Sequence, residues 1–281
     1  MLPLPTQAMG MPFMPYQTSG INSDKARGCL LGLAVGEALG LPVEGLSRAR
    51  LQHYLGQVRD YVQPPALLAF LGREAVPGLY GAGTQQALLV TDVLAQRGEY
   101  DADYARARFV ALAQPAAGLP RGLWRNAGST LRAATERMCN GHGTLETGVP
   151  SAGCGAAVRC VPLGLATPGD AAALSAAAIA CALQTHADTR AIGGAVGVAY
   201  LVRRLASGEG EQDPAAALLE AATLTYEAEE QMAAVCRQPP ATRMAGAPRL
   251  GDSLLLLSSL LEAPQHEALR AILLQAGRLQ P

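Results

Sequence analysis

The sequence predicts an all-α protein folded as one multi-helix domain. Three observations lead there. Apolar residues recur at helical spacing in most segments, and none shows sustained period-two alternation bounded by turns. The composition is 49% hydrophobic but only 4% aromatic, so the core must be Ala, Leu and Val between closely packed helices. No composition break divides the 281 residues, and no internal repeat is seen, which suits one large domain over 23–281.

Residues 24–45, DKARGCLLGLAVGEALGLPVEG, organise the rest. A helix is predicted over about 26–39. Gly28, Gly32, Gly36 and Gly40 fall along one stripe of it. A glycine inside a helix costs about 1 kcal/mol against alanine. Four at one spacing therefore predict close approach of a neighbouring backbone. Gly40 is placed as the helix stop, with Pro42 preventing its resumption. Glu44 falls just past that end, either as a solvated carboxylate or as a site residue.

Further along, Ser47 caps a short helix over 48–55. Residues 56–65 read as loop, 66–73 as helix, and Pro77, Gly78, Gly81 and Gly83 as a second loop. From Thr84 the helical period returns, with Ala87, Leu88, Thr91, Leu94 and Ala95 on one face. Asp101 caps a helix to about 113. Another, carrying Trp124, covers about 121–138 and leads into the glycine-rich NGHGTLETGVPSAGCG. Ala-rich helices follow at about 170–184 and 189–206, with Leu174, Ala178 and Cys181 on one buried side and Ile192, Val196, Ala199 and Val202 on the other. The last helices are expected at 214–236, 251–261 and 264–276.

Composition also excludes partners. Net charge is −1 without a basic block, which argues against nucleic acid or an anionic membrane. No apolar run reaches about 18 residues, so no membrane span is expected. Six cysteines lack C-x-x-C and zinc spacing, and read as free, mostly buried thiols in a reducing, cytoplasmic compartment. Residues 1–22, rich in Met and Pro, have no secretory-signal pattern. They read as a flexible tail, or as a docking or export segment for a specialised secretion system.

Arg27, Gly28, Leu30, Leu31, Gly32, Ala34, Gly36, Glu37, Ala38, Leu39, Gly40, Pro42, Val43 and Glu44 resemble the N-terminal signature of the ADP-ribosylglycohydrolase family. That family includes enzymes that remove ADP-ribose from modified arginine. Glu37 stands where the family has Asp. The resemblance implies an all-α fold with two magnesium ions held between helices, which position the ribose and activate water. The family's metal-binding turn, Y-T-D-D-T-Q, aligns with Tyr80, Gly81, Ala82, Gly83, Thr84 and Gln85. Gly-Ala-Gly offers no side-chain oxygen, whereas magnesium wants near-octahedral oxygen coordination. A second family motif, Gly-Gly-Asp-x-Asp-Thr, would follow Ala276 and Gly277, but the residues there are Arg278, Leu279, Gln280 and Pro281. The expectation is that both metal motifs are lost, that no metal or other cofactor is held, and that the family's absent final helix leaves apolar surface for a partner.

Ser151, Gly153, Cys154, Gly155, Ala156, Val158, Arg159, Pro162, Leu163 and Gly164 resemble the family phrase S-x-G-N-G-A-x-M-R-x-x-P-L-G, with Cys154 replacing Asn. Glycines ahead of a helix expose N–H groups that suit a diphosphate. A nucleophilic role for Cys154 is the other reading, although no His adjoins it in sequence. His186, within Thr185-His186-Ala187-Asp188, matches a family phrase that implies the ribose side of the cleft. Read by itself it is a helix-end histidine. His53, His142 and His266 have no ligand-like company. The expected ligand-binding set is Ser151, Gly153, Cys154, Gly155 and His186, with Thr84 and Gln85 surviving from the metal turn.

Three functions follow. The first is a pseudoenzyme binding ADP-ribose, an ADP-ribosylated protein or a protein partner such as a toxin that makes such proteins. The second is a metal-independent enzyme cleaving an ADP-ribosyl or related nucleotide bond, with Glu44 as general acid or base and Glu37 supporting it. The third is a structural or immunity-type interaction protein with no ligand in its cleft.

Overall fold

The computed structural model describes residues 21–63, 76–115, 122–167, 169–236 and 249–262. Its helices, in chain order, are α1 (Ser23–Gly40), α2 (Arg48–Tyr54), α3 (Ala82–Arg97), α4 (Ala102–Ala113), α5 (Ser129–Cys139), α6 (Thr144–Thr147), α7 (Gly155–Arg159), α8 (Val161–Ala166), α9 (Ala171–Leu183), α10 (Thr189–Ser207), α11 (Glu209–Gln212), α12 (Pro214–Met232) and α13 (Leu250–Glu262). A 3-10 turn, Leu41–Val43, follows α1. Among the described residues there is no strand, only an isolated parallel bridge between Val149 and His186.

Local chemistry sets six of the helix starts. The side chains of Asn22, Ser47, Asp101, Asp170, Asp188 and Asp213 each accept a first-turn backbone N–H. Such a cap is worth about 1 kcal/mol. Gly98 and Gly208, at φ +77° and +84°, close α3 and α10 in the left-handed conformation that glycine adopts without strain.

α10 is the central helix. Ile192, Gly193, Ala195, Val196, Gly197 and Ala199 are buried on it, and α7, α8, α9, α12 and α13 pack around it. Small residues allow the crowding. A Cβ on Gly164 of α8 would lie 2.2 Å from the Ala199 carbonyl oxygen, and one on Gly197 would lie 2.8 Å from Thr225 Oγ1 of α12. Leu174, Ala178 and Cys181 of α9 are buried as expected, while Val202 is half-buried.

Several expectations need correction. No described residue approaches the glycine stripe of α1 closely: a Cβ at Gly28, Gly32, Gly36 or Gly40 would meet nothing within 4 Å among the described residues. Gly40 does not end the helix in a left-handed turn. It is helical, and the chain passes into the 3-10 turn with Pro42 in its opening, where a missing N–H costs little. The left-handed residue is Gly45, at φ +86°. By length and composition Ser23–Val43 is long and apolar enough to cross a bilayer, with mean hydropathy 1.3, although it holds no unbroken apolar run.

α3 starts at Ala82, two residues early. Of the expected face Ala87 and Leu94 are buried, but Leu88 is 45% exposed and Ala95 is exposed. Gln86, Leu89, Val90 and Val93 are buried as well, so the core face is broader than expected and turned partly away from it. The helix expected over 121–138 begins only at Ser129. Gly122 (φ +72°) backs so closely on α4 that a Cβ would lie 2.4 Å from the Leu112 carbonyl oxygen, and Asn126 (φ +48°) is left-handed, which no continuous helix tolerates. Trp124 therefore sits in a turn, stacked on Phe109 at 5.6 Å between centroids. The helix expected after the glycine loop is two short ones, α7 and α8, and α12 stops at Met232 rather than 236. Cys160, Cys181 and Cys236 are buried, Cys29 is half-buried, and Cys139 and Cys154 are exposed; all six thiols are free. The helices expected at 66–73 and 264–276, and positions 1–20 of the expected tail, lie outside the described residues.

Candidate functional site

The glycine loop is tied to the turn that follows α9. The Val149 N–H donates to the Thr185 carbonyl at 2.9 Å, and the Ala187 N–H to the Val149 carbonyl at 2.7 Å. From α5, Arg137 Nη1 donates to the Gly148 carbonyl at 2.8 Å. These bonds hold residues 149–155 beside His186. Within the loop, Ser151 Oγ accepts from the Gly153 N–H (3.2 Å) and from the Thr130 hydroxyl (2.9 Å), which leaves the serine proton to donate outward. Gly153 and Cys154 are exposed.

Glycine keeps the loop from laying a side chain against the imidazole. A Cβ on Gly153 would stand 3.3 Å from Ser151 Oγ and 3.5 Å from His186 Nε2, and one on Gly155 would stand 3.5 Å from His186 Cε1. Without a Cβ at either position, no side chain of these two residues lies against that ring edge. The helix behind the loop, α7, has only five residues and no side-chain cap, so the loop amides must serve an anion with little help from a helix dipole.

His186 is 3% exposed. Burial, and then the positive charge of Arg159, lower its pKa to about 3, so the ring is neutral at physiological pH. Its Nδ1 lies 2.7 Å from Thr185 Oγ1. Arg159, fully buried on α7, donates to Gln86 Oε1 (2.9 Å), to the Cys181 and Ala182 carbonyls (3.0 Å each) and to Thr185 Oγ1 (2.6 Å). Asp188 caps α10 and pairs with Arg190 at 2.9 Å. Burial pushes its carboxyl up, but the bonds from Arg190 outweigh this and hold it below the usual range.

The start of α3 faces α1. Glu37 Oε1 accepts the Gly83 N–H at 2.9 Å and Oε2 accepts the Thr84 N–H at 2.7 Å. The carboxylate thus caps α3 from another helix, where the dipole favours negative charge. A Cβ on Gly83 would lie 2.8 Å from Glu37 Oε1, and one on Gly81 would lie 3.1 Å from it. Glu37 therefore fills the space that larger side chains at 81 and 83 would need. Both oxygens of Glu37, expected to support Glu44, are bonded to the start of α3.

Thr84 is 2% exposed, and its Oγ1 has no hydrogen-bond partner among the described residues. Gln85 is not open to a ligand: Nε2 donates to the Leu123 carbonyl and Oε1 accepts the Arg125 N–H, both at 2.8 Å, so its amide clasps the 123–125 turn. Glu44 is exposed, not sheltered in a cleft. Among the described residues no group of three or more His, Cys, Asp or Glu is placed to hold a metal ion.

α7 joins the two halves. Its Gly155 end borders His186, and Val158 Cγ1 would lie 3.2 Å from a Cβ on Gly83. The structure thus brings Ser151, Gly153, Gly155 and His186 together, and sets Glu37 and Thr84 across α7 from them. Sequence reasoning quoted Arg159 without a role and passed over Gln86, Thr130 and Arg137. The available signal was an arginine inside AAVRCVPLGLA: a cation there must be buried and must find acceptors.

In class this is a helical glycohydrolase-like fold. A solved "ADP-ribosylglycohydrolase-related protein complex" superposes with a TM-score of 0.55 over 88% of this chain and 79% of that chain, at 24% identity. Among curated relatives, an uncharacterised protein of Archaeoglobus fulgidus is 33% identical over 179 residues, and the ADP-ribosyl-[dinitrogen reductase] glycohydrolase of Rhodospirillum rubrum is 30% identical over 193. These matches cover 64% and 66% of this chain but 55% and 60% of those relatives. The family model described as ADP-ribosylglycohydrolase matches residues 18–278, and the chain belongs to that family.

Proposed function

We propose that this chain is a binding member of the family that works without a dinuclear magnesium centre. It takes ADP-ribose, free or carried on a protein, at the 151–155 loop and His186. The observation that carries the reading is the Glu37 clasp. Both carboxylate oxygens are spent on the Gly83 and Thr84 N–H groups, and Gly81, Ala82 and Gly83 offer no side-chain oxygen. Magnesium demands near-octahedral oxygen coordination. To gain Glu37 as a ligand, the ion would have to strip two charge-assisted bonds from the start of α3. The residues present do not fit the family's metal pair.

The ligand side is better furnished. The outward Ser151 hydroxyl, the loop amides and the His186 edge are donors suited to hydroxyl and phosphate oxygens. The Rhodospirillum relative, named as a glycohydrolase of ADP-ribosyl-[dinitrogen reductase], supports the choice of ligand. The metal-independent enzyme is disfavoured because Glu44 is exposed, without the burial that tunes a carboxyl for proton donation.

Calorimetric titration of ADP-ribose tests the reading, run with magnesium and again with a chelator. The same Kd is expected in both, with no release of ADP-ribose from ADP-ribosyl-arginine. A stoichiometric magnesium site at 81–84, or turnover that requires magnesium, would overturn it.

A further inference from the structure

The proton on His186 can be placed from its neighbours. Arginine only donates, so Thr185 Oγ1 must be the acceptor in its 2.6 Å contact with Arg159 Nη2. The Thr185 hydroxyl proton then needs an acceptor of its own. Among the described residues one is in reach, His186 Nδ1 at 2.7 Å. Were Nδ1 to carry the proton instead, that fully buried hydroxyl would be left with no acceptor. The imidazole proton therefore resides on Nε2. No group among the described residues accepts it, and Nε2 faces the gap that Gly153 keeps open.

We propose that Arg159 and Thr185 are positioning residues that lock His186 as an Nε2–H donor, aimed past Gly153 at an acceptor oxygen of the ligand, a hydroxyl or a phosphoryl oxygen. The ligand half of this inference rests on the binding reading above; the proton relay does not. Gln86 completes the relay by fixing the other arm of the guanidinium at 2.9 Å. Burial and the Arg159 charge keep the ring uncharged. The site thus offers a directed hydrogen bond without an accompanying cation, and it discriminates against a ligand that presents an N–H at this point.

Nitrogen NMR on the full chain, labelled with 15N-histidine, reads the tautomer directly with no ligand present. The wild type should show His186 as a single Nε2–H tautomer at pH 7. Thr185→Ser keeps the hydroxyl and should keep that tautomer. Thr185→Val removes it, while Arg159 Nη2 retains the Cys181 and Ala182 carbonyls. This variant should show mixed tautomers and bind ADP-ribose about tenfold more weakly, equivalent to about 1.4 kcal/mol. Gly153→Ala sets a methyl 3.5 Å from Nε2. It should leave the tautomer intact yet lose ADP-ribose, so a readout survives even if Thr185→Val does not fold. An Nδ1–H tautomer in the wild type would overturn the relay, as would undiminished Nε2–H in folded Thr185→Val. Nε2–H in place with no ADP-ribose binding to the wild type would support the relay but overturn its ligand assignment and the binding reading. Undiminished binding by Gly153→Ala would overturn the aim of His186 alone.

Discussion

His186 changes more than its contacts when the chain folds. Its pKa falls from 6.5 to about 3 on folding, chiefly through burial. Between those values the unfolded chain binds the proton and the folded chain does not. Stability from this group is therefore whole above about pH 6.5 and is lost as pH falls toward 3. Each pH unit inside that window is worth up to about 1.4 kcal/mol. We expect the urea midpoint of the wild type to fall more steeply from pH 6.5 to 4 than that of His186→Asn, which has no ring to protonate. Parallel curves for the two proteins would show that the ring is not held neutral.

At the scale of elements, the contact that matters is between α1 and α3. α1 buries only Ala38 among its described residues, so apolar packing does little to hold it. Glu37 supplies a polar tie instead, with two bonds to the start of α3. Glu37→Gln preserves the shape but offers one acceptor oxygen, and sets an NH2 against a backbone N–H. It should cost about 1.5–3 kcal/mol, the usual range for hydrogen bonds to a charged group, nearer the lower end because the pair is only part-buried. Hydrogen exchange should quicken along α1 and at the first turn of α3. Unchanged exchange in α1 would mean that something other than this carboxylate secures it.

The whole molecule is arranged around α10, and its glycine contacts show where tertiary packing is tight. A Cβ on Gly164 would press to 2.2 Å from the Ala199 carbonyl oxygen and 2.9 Å from Val202 Cβ. Backbone cannot yield there without parting α8 from α10. Gly164→Ala should destabilise by about 1–3 kcal/mol or more, the scale of an overpacked core. Gly32→Ala on α1 meets open space and should stabilise by up to about 1 kcal/mol through helix propensity. Thermal melts of the pair test this packing map. A large loss for Gly32→Ala would reveal that the α1 face is covered after all.

Much of this was legible in the sequence, for local reasons. Helices α9 and α10 and the buried positions of Leu174, Ala178, Ile192 and Val196 follow from a period that spans four residues. Ser47 and Asp101 cap helices because a short polar side chain reaches an N–H three residues on. Family membership was readable because its signatures are linear strings at 27–44 and 151–164. The same local logic misplaced the glycine stripe, since spacing shows which residues share a face but not what stands opposite. It also ran a helix through Gly122 and Asn126, both left-handed, the first of them backed closely against α4. The chemistry of the site was decided at longer range. Glu37 finds its partners 46 and 47 residues away, and Arg159 reaches Gln86 across 73 and Thr185 across 26. Periodicity and capping belong to the neighbouring turn, so residues alone determine them; which carboxylate closes which helix, and on which nitrogen a proton rests, depend on groups that meet only once the chain has folded.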